Sequence, residues 1–363
     1  MLYHWLYPLK DFFIGFNVFR YISWRAALAS ITAFLLSIAL GNVLIRMLRH
    51  RGIGQTVRSR QEVPRLYPLH QGKSGTPTMG GLLVLFAILV SVLLWGNLSN
   101  KYVWLALFVT VWLGIIGFVD DYIKLVQRDA RGLAGRFKLL GQIVVGLIVG
   151  TVLYVDPGVD TRLSLPFLKH VTWTLGVWFV PFAALVIVAT SNAVNLTDGL
   201  DGLAVGCVVM VAGAYVAFSY IAGHAAMADY LNIPHVPGVG ELTVVCAALV
   251  GACVGFLWFN GYPASVFMGD VGALALGGAI GTIAVCVKKE IMLLIVGGVF
   301  VAEAASVLLQ VASFRMTGQR MFRMAPVHHH FQLMGWPEPK VTVRFWIVSF
   351  ILAVVGLATL KLQ

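Results

Sequence analysis

The chain has 363 residues, of which 59% are hydrophobic and only 11% charged, with a formal net charge of +11 and a mean hydropathy of +0.88. Soluble domains carry about 25% charged residues, so this composition excludes a water-soluble globular protein and implies a polytopic one embedded in a lipid bilayer. Such a chain is divided by ~20-residue spans rather than by soluble domains, and no nucleic-acid partner is expected.

The first 21 residues hold Asp11, Arg20 and scattered aromatics but no small-residue cleavage site, and read as an interfacial segment rather than a signal peptide. Ten apolar stretches follow, at residues 22–45, 78–95, 102–119, 137–155, 173–191, 202–222, 242–259, 271–287, 291–312 and 344–361. They are apolar all round, so periodicity does not mark a buried face. Gly-rich pieces such as "GALALGGAIG" (272–281) suit close helix packing in lipid. The expected fold is all-α, a single integral membrane domain spanning 1–363 with about ten transmembrane helices. Cys207, Cys246, Cys253 and Cys286 sit inside apolar runs without C-x-x-C spacing and read as packing residues.

Lysine and arginine set the orientation. The loop after the first span holds Arg46, Arg49, Arg51, Arg58, Arg60, Arg65 and Lys73. The loop after the third holds Lys124, Arg128, Arg131, Arg136 and Lys138, and that after the ninth holds Arg315, Arg320, Arg323, Lys340 and Arg344. These are 17 of the 26 basic residues, so the positive-inside rule makes that side cytoplasmic and places both termini in the periplasm. Anionic lipid headgroups favour such a face, yet the loop at 46–76 is richer than anchoring requires, which points to an anionic substrate.

Five polar motifs fall on that same side. "GKSGTPTMGG" (72–81) carries Lys73, and "GIIGFVDDY" (114–122) ends the third span with Asp120 and Asp121. A carboxylate pair at a helix C-terminus opposes the helix dipole, which makes an ordinary solvated cap a poor account of it. "SNAVNLTDGLDG" (191–202) places Asn195, Asp198 and Asp201 three apart, where a helical turn would align them on one stripe. Either aspartate could instead cap the sixth span. "WFNGYPASVFMGD" (258–270) supplies Asn260, Phe267 and Asp270, and Asp270 could likewise cap the eighth span. "APVHHHFQ" (325–332) supplies His328, His329 and His330; three consecutive imidazoles do not share a helical face, so they suit phosphate contacts better than a zinc site. Glu303 stands alone within the ninth span, a carboxylate in need of a partner or a task.

Several carboxylates without a cysteine or histidine cage favour magnesium, which takes one or two carboxylates together with phosphate oxygens. Magnesium and lysine together neutralise a diphosphate under in-line attack, and a remaining carboxylate can accept a proton or orient the nucleophile. The P-loop pattern G-x-x-x-x-G-K-[ST] is missing, which argues against a nucleotide-triphosphate motor. The residues alone therefore point to a membrane-embedded, magnesium-dependent phosphotransfer enzyme open to the cytoplasm.

The five motifs, in this order and through essentially the whole chain, resemble those of the polyprenyl-phosphate N-acetylhexosamine-1-phosphate transferases. "PVHHHF" resembles the bacterial branch that handles phospho-N-acetylmuramoyl-pentapeptide. The resemblance implies attack of undecaprenyl phosphate on UDP-MurNAc-pentapeptide at the inner membrane, giving lipid I and UMP for peptidoglycan synthesis. It implies Mg2+ held by Asp270 and Asp121, and Asp120 as base or orienting group for the lipid phosphate. It further implies that His328 belongs to the catalytic set. Lys73, Lys124 and Lys138 would contact phosphate, Asn195, Asp198, Asp201, Asn260 and Phe267 the nucleotide, and His329 and His330 the sugar-phosphate or peptide. A homodimer is expected on the same ground. Single displacement is favoured, because a phosphate monoester is already largely ionised near neutrality (its second pKa is about 6). The alternatives are a transferase of N-acetylglucosamine-1-phosphate to the same lipid, which the histidine triplet disfavours, and a transporter. Transporters place their sites near the bilayer midplane, whereas these polar residues gather at one face.

Overall fold

The computed structural model describes residues 1–51, 54, 73, 75–127, 132–164 and 172–362. Arg58, Arg60, Arg65, Arg128 and Arg131, which helped to set the orientation, lie outside the described residues. The N-terminal segment forms helix α1 (Leu2–Leu6) and two 3₁₀ turns (Tyr7–Asp11 and Ile14–Arg20), with Trp5, Phe12, Phe13 and Ile14 exposed. Such a greasy, unburied surface is what an interfacial segment presents to lipid.

A series of mostly long apolar helices follows. They are α2 (Ile22–His50), α3 (Gly81–Trp95), α4 (Lys101–Gln127), α5 (Gly135–Tyr154), α6 (Phe179–Thr197) and α7 (Leu203–Ala222). After the short α8 (Ala225–Leu231) come α9 (Leu242–Asn260), α10 (Gly269–Cys286), the short α11 (Met292–Val296), α12 (Gly298–Thr317), the short α13 (Val327–Leu333) and α14 (Glu338–Ala358). Among the described residues, nine helices are long and apolar enough to cross a bilayer. The tenth expected span is α3, whose 15 residues reach only about 22 Å. The chain is thus an all-α polytopic membrane protein.

Two apolar runs were not single helices. The stretch at 173–191 begins in a strand, β2 (Thr172–Thr174), paired antiparallel with β1 (Arg162–Ser164), and turns helical only at Phe179. A short apolar run does not distinguish strand from helix. The stretch at 291–312 breaks at Gly297 into α11 and α12, and α12 continues to Thr317.

Helix α10 forms the axis of the bundle: 89% of its apolar stretch is buried, against 22% for α12 at the edge. Both ends of the chain lie on one face. The Met1 amino group donates to Leu94 O at 3.2 Å, and Lys361 Nζ donates to Tyr230 O at 3.1 Å. On that face Arg25, 1% exposed, makes a bidentate pair with Glu241 at 2.7 and 2.6 Å and donates to Trp95 O at 3.3 Å. This lock ties α2, the end of α3 and the start of α9 together, leaving the opposite end of the bundle for the acidic motifs.

Candidate active site

Helix α4 runs to Gln127, so Asp120 and Asp121 sit well inside it rather than at its end. The dipole argument drawn from the sequence therefore does not apply to them. The helix continues because "YIKLVQ" has no Gly, Pro or cap residue to stop it. Lys124, one turn on, lies on the aspartate face: its Nζ is 2.5 Å from Asp120 Oδ2, 3.6 Å from Asp121 Oδ1 and 3.2 Å from Asp270 Oδ2. Lys138, in the first turn of α5, bridges Asp120 Oδ1 at 2.9 Å and Asp270 Oδ2 at 2.7 Å. The Leu133 N–H also donates to Asp120 Oδ1 at 2.7 Å.

Asp270 occupies the first turn of α10, where the helix dipole favours a carboxylate. Two glycines let it approach α4. Gly117 packs its bare Cα against the start of α10, where a Cβ would come 2.6 Å from Val271 N. Gly269 turns into α10 at φ +74°, a conformation that few other residues adopt cheaply. The Asp121 carboxylate then accepts from Val271 N at 3.3 Å.

Ligand oxygens of Asp120, Asp121 and Asp270 all lie within 4.8 Å of one another. Three carboxylates against two ammonium groups leave one negative charge. An all-oxygen donor set with a negative surplus fits a hard divalent cation such as magnesium, and both Asp121 and Asp270 belong to it. Side-chain exposure rises from 0% at Asp120 through 5% at Asp121 to 15% at Asp270, so Asp270 presents most to an incoming group.

A second polar cluster is built around Lys73 and Phe267. Pro77 O accepts from Phe267 N at 2.8 Å, Phe267 O from Gly80 N at 2.8 Å, and Met268 O from Gly81 N at 2.8 Å, which stitches the lysine motif to the "VFMGD" segment. Lys73 Nζ lies 5.8 Å from the centre of the Phe267 ring. It is held between Asp201 Oδ1 at 2.6 Å and Glu338 Oε1 at 2.5 Å, ion-paired with both. Glu338 also accepts from Asp201 N at 2.8 Å, and Ala264 N donates to Asp201 Oδ2 at 2.9 Å. Sequence reasoning passed over Glu338. Its signal was a carboxylate beside "PVHHHF" in a loop read only for its basic residues.

Asn195, Asp198 and Asp201 do not share a helical stripe. Helix α6 ends at Thr197, Asp198 is its C-cap, and the chain turns through Gly202 at φ +71° before α7. Neither aspartate caps α7, whose N-cap is Gly202. The Asn195 amide has no partner among the described residues. Burial, followed by the charges of Asp270, Asp121 and Asp201, raises Asp198 to about 7, partly opposed by a bond from the Gly269 N–H. Asn260, 2% exposed, donates to Val266 O at 2.9 Å and accepts from Gly202 N at 3.1 Å, so it braces these loops instead of pointing outward.

The three histidines face three ways, as their spacing required. His328 is fully buried, with Nδ1 3.1 Å from Glu303 Oε2. His329 Nδ1 lies 2.9 Å from Gln332 Oε1, and His330 Nδ1 accepts from Arg323 N at 3.1 Å. Burial lowers His328 to about 3, so its imidazole is neutral. Its ring packs on Gly199, the neighbour of Asp198, with space only for a hydrogen on that Cα. Glu303 thus gains a role: it faces the N–H groups of Val327 and His328 at the start of α13 and holds the His328 ring against the aspartate loop.

Helices of membrane length that gather aspartates and lysines at one end define a multi-pass membrane protein with an embedded acid–base site. A family profile described as Glycosyl transferase family 4 matches residues 103–288, and the Phospho-N-acetylmuramoyl-pentapeptide-transferase signature 1 matches residues 73–85. The phospho-N-acetylmuramoyl-pentapeptide-transferase of Solidesulfovibrio magneticus is 55% identical over 364 aligned residues, covering 100% of both chains. The protein of the same name from Desulfotalea psychrophila is also 55% identical, with the same coverage. The chain belongs to glycosyl transferase family 4 and, within it, to the phospho-N-acetylmuramoyl-pentapeptide transferases.

Proposed function

We propose that the chain transfers phospho-N-acetylmuramoyl-pentapeptide from its UDP conjugate to undecaprenyl phosphate, forming lipid I and UMP at the cytoplasmic face of the inner membrane. The observation that carries this reading is the convergence of Asp120, Asp121 and Asp270 with Lys124 and Lys138 at one end of a membrane-embedded bundle. The full-length likeness to transferases of that name supports the choice of substrates. A lipid nucleophile needs a site within the membrane, and a soluble nucleotide needs one that opens to water.

In this reading Asp121 and Asp270 hold Mg2+, which when bound neutralises diphosphate charge. Lys124 and Lys138 move from carboxylate to phosphate oxygens as substrate enters. Asp120, fully buried between both lysines and the Leu133 N–H, orients them rather than accepting a proton. The lipid phosphate arrives ionised, so positioning and charge neutralisation supply the rate by single displacement. Phe267, beside Lys73, supplies an aromatic face for the uracil ring.

The test is UMP production from UDP-MurNAc-pentapeptide by purified protein, with and without undecaprenyl phosphate and Mg2+. Release that depends on both is expected. Turnover of UDP-GlcNAc in place of the muramoyl substrate overturns the assignment. Stoichiometric UMP without lipid overturns single displacement.

A further inference from the structure

A second polar layer crosses the bundle one helical turn below the carboxylates. Gln142 stands four residues after Lys138 on α5, Ser191 four before Asn195 on α6, and Leu274 four after Asp270 on α10. Each therefore lies on the same face of its helix as a site residue, one turn further into the membrane.

These residues are bonded to one another. Gln142, 1% exposed, donates from Nε2 to Ser191 Oγ at 3.3 Å and accepts at Oε1 from Asn192 Nδ2 at 2.8 Å. Ser191, also buried, donates to Leu274 O at 3.0 Å. Helix α4 joins the layer next door, where Trp112 Nε1 donates to Gly141 O at 3.0 Å. Helices α4, α5, α6 and α10 are thus fixed to one another at a single level. Among the described residues, none of these side chains is hydrogen-bonded to the carboxylates or lysines above.

Apolar side chains would pack these helices without the desolvation cost of a buried amide. What an amide bonded at both ends adds is a defined register and rotation. Lys138 needs that definition, because its ammonium bridges Asp120 on α4 and Asp270 on α10 from a third helix. We infer that Gln142 is a positioning residue for the phosphotransfer site: through Ser191 and Asn192 it sets the rotation of α5 that places the Lys138 ammonium between Asp120 and Asp270. This inference rests on the transferase reading above.

The test uses purified full-length protein in lipid nanodiscs, with kcat, KM for the UDP substrate and the thermal midpoint measured together. Gln142→Met keeps the volume and removes the bonds. It is expected to lower kcat about 10- to 100-fold, as displaced reacting groups do, with KM within about threefold and the folded fraction unchanged. Gln142→Glu retains the acceptor and, protonated in apolar surroundings, the donor; it is expected to recover most of the loss. Ser37→Ala, which removes a buried hydroxyl bonded to Ala252 O at 3.2 Å between α2 and α9, is the control that leaves kcat unchanged. The inference is overturned by a Gln142→Met kcat within about threefold of wild type. It is equally overturned by a loss matched by the folded fraction, or by a Gln142→Glu variant no better than Gln142→Met. Should Gln142→Met not fold, Ser191→Ala, which deletes one oxygen, decides on the same criteria. A wild-type protein that releases no UMP refutes the transferase reading instead, so the two failures are distinct.

Discussion

Gly117→Ala probes how closely α4 must approach the start of α10. The added Cβ would lie 2.6 Å from Val271 N and closer still to Asp270 O and C, whereas ordinary contact begins at 3.4 Å, and all three are backbone atoms that cannot rotate away. The helices must separate by about 1 Å or more, which takes one of the two Lys138 contacts, now 2.7 and 2.9 Å, beyond about 3.5 Å and out of hydrogen-bonding range. Overpacking of this kind costs about 1–3 kcal/mol, while alanine for glycine within a helix returns about 1 kcal/mol. Net stability therefore falls little, by ~0–2 kcal/mol, and the thermal midpoint drops by a few degrees. Activity is expected to fall far more, about 100-fold in kcat, because displacing reacting groups by about 1 Å is that costly. Gly213→Ala on α7, where an added Cβ meets nothing within 4 Å, is the matched control and should leave kcat unchanged while raising stability by about 1 kcal/mol. UMP release at saturating substrates and thermal unfolding in nanodiscs measure both. A Gly117→Ala enzyme within about threefold of wild-type kcat would refute the claim that the site depends on this contact.

Three further outcomes follow from the same geometry. Asp270→Asn should abolish UMP release while membrane insertion and the thermal midpoint stay near wild type; near-normal turnover sinks its assignment to the metal and phosphate site. Lys73→Met leaves Asp201 and Glu338 buried without their cation and should cost about 3–5 kcal/mol, with Lys73→Met combined with Glu338→Gln regaining part of the loss in thermal unfolding. His328 is held near 3, so below its ordinary 6.5 the unfolded chain takes a proton that the folded chain refuses. Stability is lost as pH falls from 6.5 toward 3, by about 2 kcal/mol at pH 5 from this one group. His328→Gln should flatten that acid limb, and identical limbs in the two proteins would contradict a buried neutral imidazole.

The sequence made the class and the site legible for different reasons. Hydropathy alone located the helices, because a bilayer leaves the backbone few other options. It located their ends poorly. The α4 helix outruns its apolar stretch by two turns, since Asp120, Asp121 and Lys124 satisfy one another and need no water there. Orientation placed the acidic motifs on one face, and the bundle indeed brings Asp120, Asp121 and Asp270 together although about 150 residues separate the pair from Asp270. What spacing could not supply was which polar groups bind each other. Glu338 on Lys73, Glu303 on His328 and Gln142 on Ser191 are all pairings across 25 or more residues of chain, invisible to any local pattern. Each also answers a cost rather than a motif: a buried polar group within a membrane protein must find a partner, and topology decides which one is in reach. The layer behind the reacting groups is therefore the part of such a site that requires coordinates. In this chain it is also the part that sets where the legible residues point.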